Sequence, residues 1–262
     1  MPLMKQITSA RNEQLKHAAK LLAHGKTRRE HGQTVIEGVH LLQVYLQAGG
    51  EPLQVYVPEN KRHLSEVAAL LAQLPENRIT LASAGVLSKI SGLAEAEEVL
   101  ALIEIPASGA LPQQGDCVVL DRVQDPGNVG TIMRSAAAAG VKQLVLGKDC
   151  ADVWSPKVLR AGMGAHFLLN VFDRADLAQW CAGYAGNVWA TALSETNERN
   201  LYGMDLTLPA AWVFGNEGSG VNAELLARVT GCVKIPMAGQ TESLNVAMAA
   251  TVCLFEQMRQ RL

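Results

Sequence analysis

Three loops in the C-terminal half hold residues fit for ligand chemistry. The first runs Gln124-Asp125-Pro126-Gly127-Asn128-Val129-Gly130, and Arg134 follows within a helical run. The second reads Gly215-Asn216-Glu217-Gly218-Ser219-Gly220, and the third ends in Ser243-Leu244-Asn245. Each follows a short apolar run, so each is a strand-to-helix loop. In an open parallel sheet such loops converge on one crevice beyond the carboxyl ends of the strands. Glycines allow close backbone approach to a ligand, and Asn128, Glu217, Ser243 and Asn245 add polar groups. Asn128 and Asn245 also suit helix N-caps, and Glu217 suits a first-turn acid. Arg134 is the residue type that grips phosphate.

What the loops lack narrows the ligand. No Lys-Ser/Thr follows a glycine loop, which counts against triphosphate chemistry, and no dinucleotide fingerprint with its acidic partner is present. No Ser-His-Asp arrangement is suggested. His166 precedes an apolar strand and reads as structural; the other five His lie in the N-terminal part. No Cys or His spacing suits a metal. A neutral or cationic ligand, held by backbone groups and apolar contacts, fits best, and a sulfonium fits better than a pyrophosphate.

The elements that must position these loops read as α/β. From Asp116 on, CVVLDRV, QLVLG, FLLNVF, VWATAL, AWVFG and CVKIP are nearly continuous apolar runs, as strands buried on both faces of a parallel sheet require. The closing run SLNVAMAATVCLFEQMRQ is a helix that packs on that sheet. Residues 1–105 form a smaller α/β unit. There, ARNEQLKHAAKLLAHG predicts a helix capped by Ser9; VHLLQVYLQAGG, SEVAALLAQL and ASAGVLSKI predict helices; and TVIEG, LQVYV, RITLA and VLALIEI predict strands. The Pro/Gly/Ser-rich residues 106–115 are the linker, and 116–262 the second domain.

Composition sets the outer limits. The 262 residues are 48% hydrophobic and 18% charged with a net charge of −2, a balance that supports a sizeable core and argues against disorder. Five scattered Cys without C-x-x-C imply buried thiols in a reducing compartment. No signal-peptide core and no membrane-length apolar run is visible, so a cytoplasmic location is expected. Residues 1–32 carry seven Lys/Arg against two acids. This local excess includes Lys16, Lys26, Arg28 and Arg29, and marks the candidate patch for any nucleic-acid contact, because phosphate contacts dominate such affinity. A solvated helix face is the plainer alternative.

Taken together, the loops resemble the SpoU (TrmH-like) class of SPOUT RNA methyltransferases. Asn128-Val129-Gly130-Thr131-Ile132-Met133-Arg134 matches its first motif. Phe214 to Gly220 matches the second, and Ile235-Pro236-Met237 with Glu242 to Ala247 matches the third. SPKVLRAGMGAHF, with Arg160, matches a further stretch. The N-terminal part is similar to the ribosomal-protein-L30-like substrate-binding domain that often precedes these enzymes, although GLAEAEEVLAL departs from the usual Pro-Gln-Gly turn.

The resemblance implies a deep trefoil knot in the parallel-sheet domain, a homodimer, no metal, and S-adenosylmethionine as cofactor. It implies a cofactor pocket of Leu193, Gly215, Asn216, Gly218, Ile235, Met237, Ser243, Leu244 and Asn245. It implies a catalytic set of Asn128, Arg134, Glu217, Ser243 and Asn245, with Glu217 as a possible partner of Arg134. Arg134 and Arg160 add RNA contacts. The implied reaction is methylation of a ribose 2′-hydroxyl, in ribosomal RNA first and transfer RNA as the near alternative. A non-catalytic RNA-binding or ribosome-assembly protein on the same fold is the alternative of a different class. A dinucleotide-dependent oxidoreductase is a third reading, weakened by the absent fingerprint.

Overall fold

The computed structural model describes residues 5–83, 85–91, 98–192, 198–241 and 243–262. The chain divides into two units: Met1–Ala107 with Trp154–Gly164, and Ser108–Val153 with Ala165–Leu262.

The first unit contains β1 (Lys5–Ile7), α1 (Glu13–Ala23), α2 (Gly25–His31), β2 (Gln33–Glu37), α3 (Val39–Gln47), β3 (Gln54–Pro58), α4 (Ser65–Leu71), β4 (Ile79–Ala82) and β5 (Leu100–Glu104). Its sheet order is β1-β4-β3-β5-β2; β5 is antiparallel to both neighbours and the other pairs are parallel. Leu15, Ala18 and Leu21 of α1 recur at helical spacing and are buried against Val35 and Leu100 of the sheet. Asn12, not Ser9, caps α1. Its side chain accepts from the Gln14 amide at 2.9 Å, while Ser9 Oγ accepts from Arg11 N in the turn before. The helix expected over ASAGVLSKI is absent from the described part of that stretch. Ile90 N and Val86 N close onto carbonyls three residues back, and Gly85 takes φ 73°, so the segment is a run of turns.

The second unit contains β6 (Cys117–Leu120), α5 (Pro126–Ala138), β7 (Gln143–Gly147), β8 (Asn170–Ala175), α7 (Leu177–Gly183), β9 (Asn187–Thr191), β10 (Glu198–Asn200), β11 (Ala210–Phe214), α8 (Ala223–Leu226), β12 (Gly231–Lys234) and α9 (Val246–Arg259). The remaining helix, α6 (Pro156–Gly162), lies in the segment that belongs to the first unit. All seven strands run parallel in the order β10-β12-β9-β11-β6-β7-β8. Phe214 stands opposite Leu120, so the loops after β6 and β11 leave the same sheet edge side by side. The buried Gln257 fixes α9: its side chain accepts from Trp212 Nε1 and donates to Asp116 Oδ1 at 2.7 Å. The Pro/Gly segment before β6 is pinned as well, with Trp180 Nε1 donating to the Pro112 carbonyl at 2.7 Å and Ala185 N to that of Gln113.

All five Cys are free, and burial raises the thiols of Cys117, Cys150, Cys181 and Cys253, that of Cys150 to about 11. No described helix is long and apolar enough to cross a membrane.

His166 is buried, with Nε2 at 2.8 Å from the Val153 carbonyl, and burial pushes its pKa down to about 4. The unfolded chain then binds more protons below the ordinary histidine value near 6.5, so stability is full above that pH and falls on acidification toward 4. We expect about 2 kcal/mol of this loss by pH 5. Urea melts at pH 7 and pH 5 check it: His166→Gln should flatten the pH slope, and an unchanged slope would exclude His166 as its source.

Candidate active site

A hollow of about 620 Å³ opens beyond the carboxyl ends of β9, β11 and β12. The loop from Gly215 to Val221 forms one wall, Ile235 and Met237 after β12 a second, and Ser243 to Val246 at the start of α9 a third. Local chemistry builds each wall. Gly215 sits where the chain crosses itself: a Cβ there would fall 2.3 Å from both Gly220 C and Val221 N. Asn216 and Gly220 exchange two backbone hydrogen bonds, of 3.0 and 2.9 Å, and close the loop into a lasso. The Asn216 side-chain oxygen accepts from the amides of Gly218 and Ser219, both at 3.0 Å, replacing partners that a strand would have supplied.

At the mouth, the three loops are tied together. Asn128 Nδ2 donates to Glu217 Oε1 at 2.8 Å, and Asn245 Nδ2 donates to Asn128 Oδ1 at 3.0 Å. Asn245 also caps α9, its Oδ1 accepting from Ala247 N at 2.9 Å. It therefore uses the oxygen for the helix and the nitrogen for Asn128. Asn128 does not cap α5. Asp125 does, accepting from the Asn128 amide at 2.8 Å, with Pro126 at the first helical position.

Of the expected pocket residues, Gly215, Asn216, Gly218, Ile235, Met237, Ser243, Leu244 and Asn245 surround this hollow, together with Glu217. Leu193 lies outside the described residues, as does Glu242 of the third motif. Thr191, Ala192, Val221, Val233 and Ala249 also line the hollow. Sequence patterning gave no signal for them, because small or apolar residues at or after strand ends and on a helix read the same whether they face a core or a ligand. Arg134 is exposed on α5, does not line the hollow, and makes no ion pair or hydrogen bond among the described residues. Glu217 bonds Asn128 and not Arg134 as the sequence suggested, since the Asn128 amide sits directly across the mouth from it.

The basic run divides. Lys16, Lys26 and Arg29 are exposed, Lys16 beside Glu13 at 2.7 Å and Lys26 beside Glu30 at 3.7 Å. Arg28 is not a surface cation: it is 4% exposed, and its guanidinium donates to the carbonyls of Leu21 and Leu22 at the end of α1. Arg160 is bound to the buried carboxylate of Glu37, which also accepts from Ser91 Oγ at 2.6 Å, so its charge is already neutralised.

The lining suits a particular ligand class. It is largely backbone and apolar side chain, its volume is that of a small-molecule pocket, and Lys234 is the one cation among its described residues. A polyphosphate would need more positive charge, whereas a neutral or cationic ligand gains from the Glu217 carboxylate. No group of three or more His, Cys, Asp or Glu among the described residues could hold a metal ion.

Comparison with known proteins agrees in extent. Residues 116–255 match the SpoU rRNA Methylase family, and residues 12–101 match the MRM3-like substrate binding domain. An uncharacterized tRNA/rRNA methyltransferase of Synechocystis is 35% identical over 97% of this chain and 94% of its own length. The 23S rRNA guanosine 2′-O-methyltransferase RlmP of Bacillus subtilis is 32% identical over 96% and 98%. An AdoMet-bound rRNA methyltransferase from Sinorhizobium meliloti superposes with a TM-score of 0.82 at 30% identity, covering 98% of each chain.

Proposed function

Because the chain belongs to the SpoU rRNA Methylase family, we propose that it methylates a ribose 2′-hydroxyl of ribosomal RNA with S-adenosylmethionine as the donor. One observation carries the reading: Asn128 in the first turn of α5, Glu217 after β11 and Asn245 capping α9 are linked by hydrogen bonds through Asn128 at the mouth of a hollow lined by Gly215, Ile235 and Leu244.

When bound, S-adenosylmethionine supplies an activated methyl group. The backbone and apolar walls hold it, and the bonded trio receives the sugar. Asn128 keeps one amide hydrogen and Glu217 one carboxylate oxygen beyond their mutual bond. Alignment of this kind contributes about 7–11 kcal/mol to a displacement, which suits a site without a covalent nucleophile. Arg134 binds the target phosphate and stabilises negative charge on the 2′-oxygen. A guanidinium is a poor base, so phosphate or water takes the proton.

Lys16, Lys26 and Arg29 contact the RNA backbone. The acidic neighbours of Lys16 and Lys26, Glu13 and Glu30, are weak surface partners, which phosphate displaces. The protein acts as a homodimer: Met248 and Phe255, seven residues apart on one side of α9, are 48% and 39% exposed and form an apolar strip that a second copy covers. The second unit carries the trefoil knot, a reading supported by β11 inserting between β6 and β9. The free thiols, four of the five buried, favour the cytoplasm.

The decisive experiment deletes the gene and maps ribose methylations in total RNA. One mark missing from ribosomal RNA and restored by the wild-type chain is expected. A mark missing from transfer RNA would move the substrate, and no missing mark would defeat the proposal. In vitro, Asn128→Asp sets a second carboxylate beside Glu217 and should lower kcat/KM about tenfold. Steady-state assays check this, and activity within twofold of wild type would remove the trio from the mechanism.

A further inference from the structure

Arg122 takes a backbone conformation that glycine would adopt at no cost. Its φ is 56°, a left-handed conformation that strains any residue with a side chain. The chain nonetheless places an arginine there, and both ends of that residue are engaged. The turned carbonyl accepts from Asn216 Nδ2 at 3.0 Å, and the guanidinium donates to the Gly220 carbonyl at 3.0 Å. These are the two residues whose mutual pairing closes the lasso. Asp121, 6% exposed, completes the arrangement: its Oδ2 accepts from the Asn222 amide at 2.6 Å and from Arg122 Nε at 3.4 Å. Two consecutive residues after β6 therefore hold the loop at Asn216, Gly220 and Asn222. Neither Asp121 nor Arg122 lines the hollow.

We propose that Asp121 and Arg122 are positioning residues that fix the Gly215–Asn222 loop in its ligand-binding shape before the cofactor arrives. The proposal rests on the reading of the hollow as the S-adenosylmethionine site. Its physical basis is preorganisation: ordering the loop in the free protein removes that cost from binding. Strain retained at Arg122 fits a residue whose conformation is set by what it holds.

Two readouts test it, one of them independent of catalysis. In the cofactor-free protein, hydrogen exchange of a peptide spanning the loop should quicken about tenfold in Arg122→Ala and Arg122→Gly, while β9 exchanges as in wild type. By calorimetry, both variants should bind S-adenosylmethionine about tenfold more weakly. KM for the cofactor should rise with kcat at saturation within about twofold, a split that general damage to the fold would not produce. Arg122→Lys should recover part of the affinity, and Arg122→Gly, relieved of strain, should melt no lower than Arg122→Ala. Wild-type loop exchange and wild-type affinity in Arg122→Ala would overturn the clamp and leave the cofactor site standing. Failure of the wild-type chain itself to bind S-adenosylmethionine would overturn both together.

Discussion

Gly215→Ala should weaken S-adenosylmethionine binding by a hundredfold or so while leaving the sheet folded. The added methyl would fall 2.3 Å from Gly220 C and Val221 N, which are backbone atoms with no rotamer to change. The loop must move, and in moving it breaks the two Asn216–Gly220 bonds and the contact from Arg122. Two or three hydrogen bonds at about 0.5–1.5 kcal/mol each give about 1–4.5 kcal/mol, centred near a hundredfold in affinity. Gly203→Ala is the control. Gly203 does not line the hollow, its Cβ would meet nothing within 4 Å, and affinity should stay within about threefold. Calorimetry on both variants, with melting curves to establish folding, decides the matter. Equal affinities would mean that the chain crossing at Gly215 does not shape the pocket.

Arg134→Ala should lower turnover about 10²–10³-fold, the range seen when one donor to a developing oxyanion is removed. Its affinity for S-adenosylmethionine should not change, because Arg134 does not line the hollow. With no ion pair among the described residues, its replacement leaves no buried charge behind, so stability should shift by less than about 0.5 kcal/mol. Arg134→Lys separates charge from geometry. Lysine keeps the attraction to phosphate but not the planar donor fork, so RNA affinity near wild type with turnover still lost is the expected pattern. Single-turnover methylation together with RNA binding measures both, and full activity in Arg134→Lys would take the fork out of the mechanism.

Much of this protein was legible from local pattern. The apolar runs after Asp116 are β6, β7, β9, β11 and β12, because strands covered on both faces need unbroken hydrophobicity; FLLNVF overlaps only the first half of β8, an edge strand that is largely exposed. The glycine-rich loops fall at their carboxyl ends for the topological reason that places ligands there. Local pattern misled where a short segment had two acceptable solutions. Ser9 and Asn12 are both capping types, and tertiary placement of α1 chose Asn12. The stretch before Ile90 has helical spacing, yet Gly85 turned left-handed and the segment closed as turns.

The sequence by itself determined the sheet, the positions of the three loops and the residue types available for chemistry, because periodicity and backbone freedom are properties of neighbours along the chain. Only the tertiary structure decided which side chains meet. Asn128 bonds partners 89 and 117 positions away. Of the adjacent Arg28 and Arg29, identical in propensity, one turns inward to the carbonyls ending α1 and the other faces water. The direction of a side chain depends on the polar groups that the rest of the fold brings to it, and those groups come from parts of the chain that local pattern does not connect.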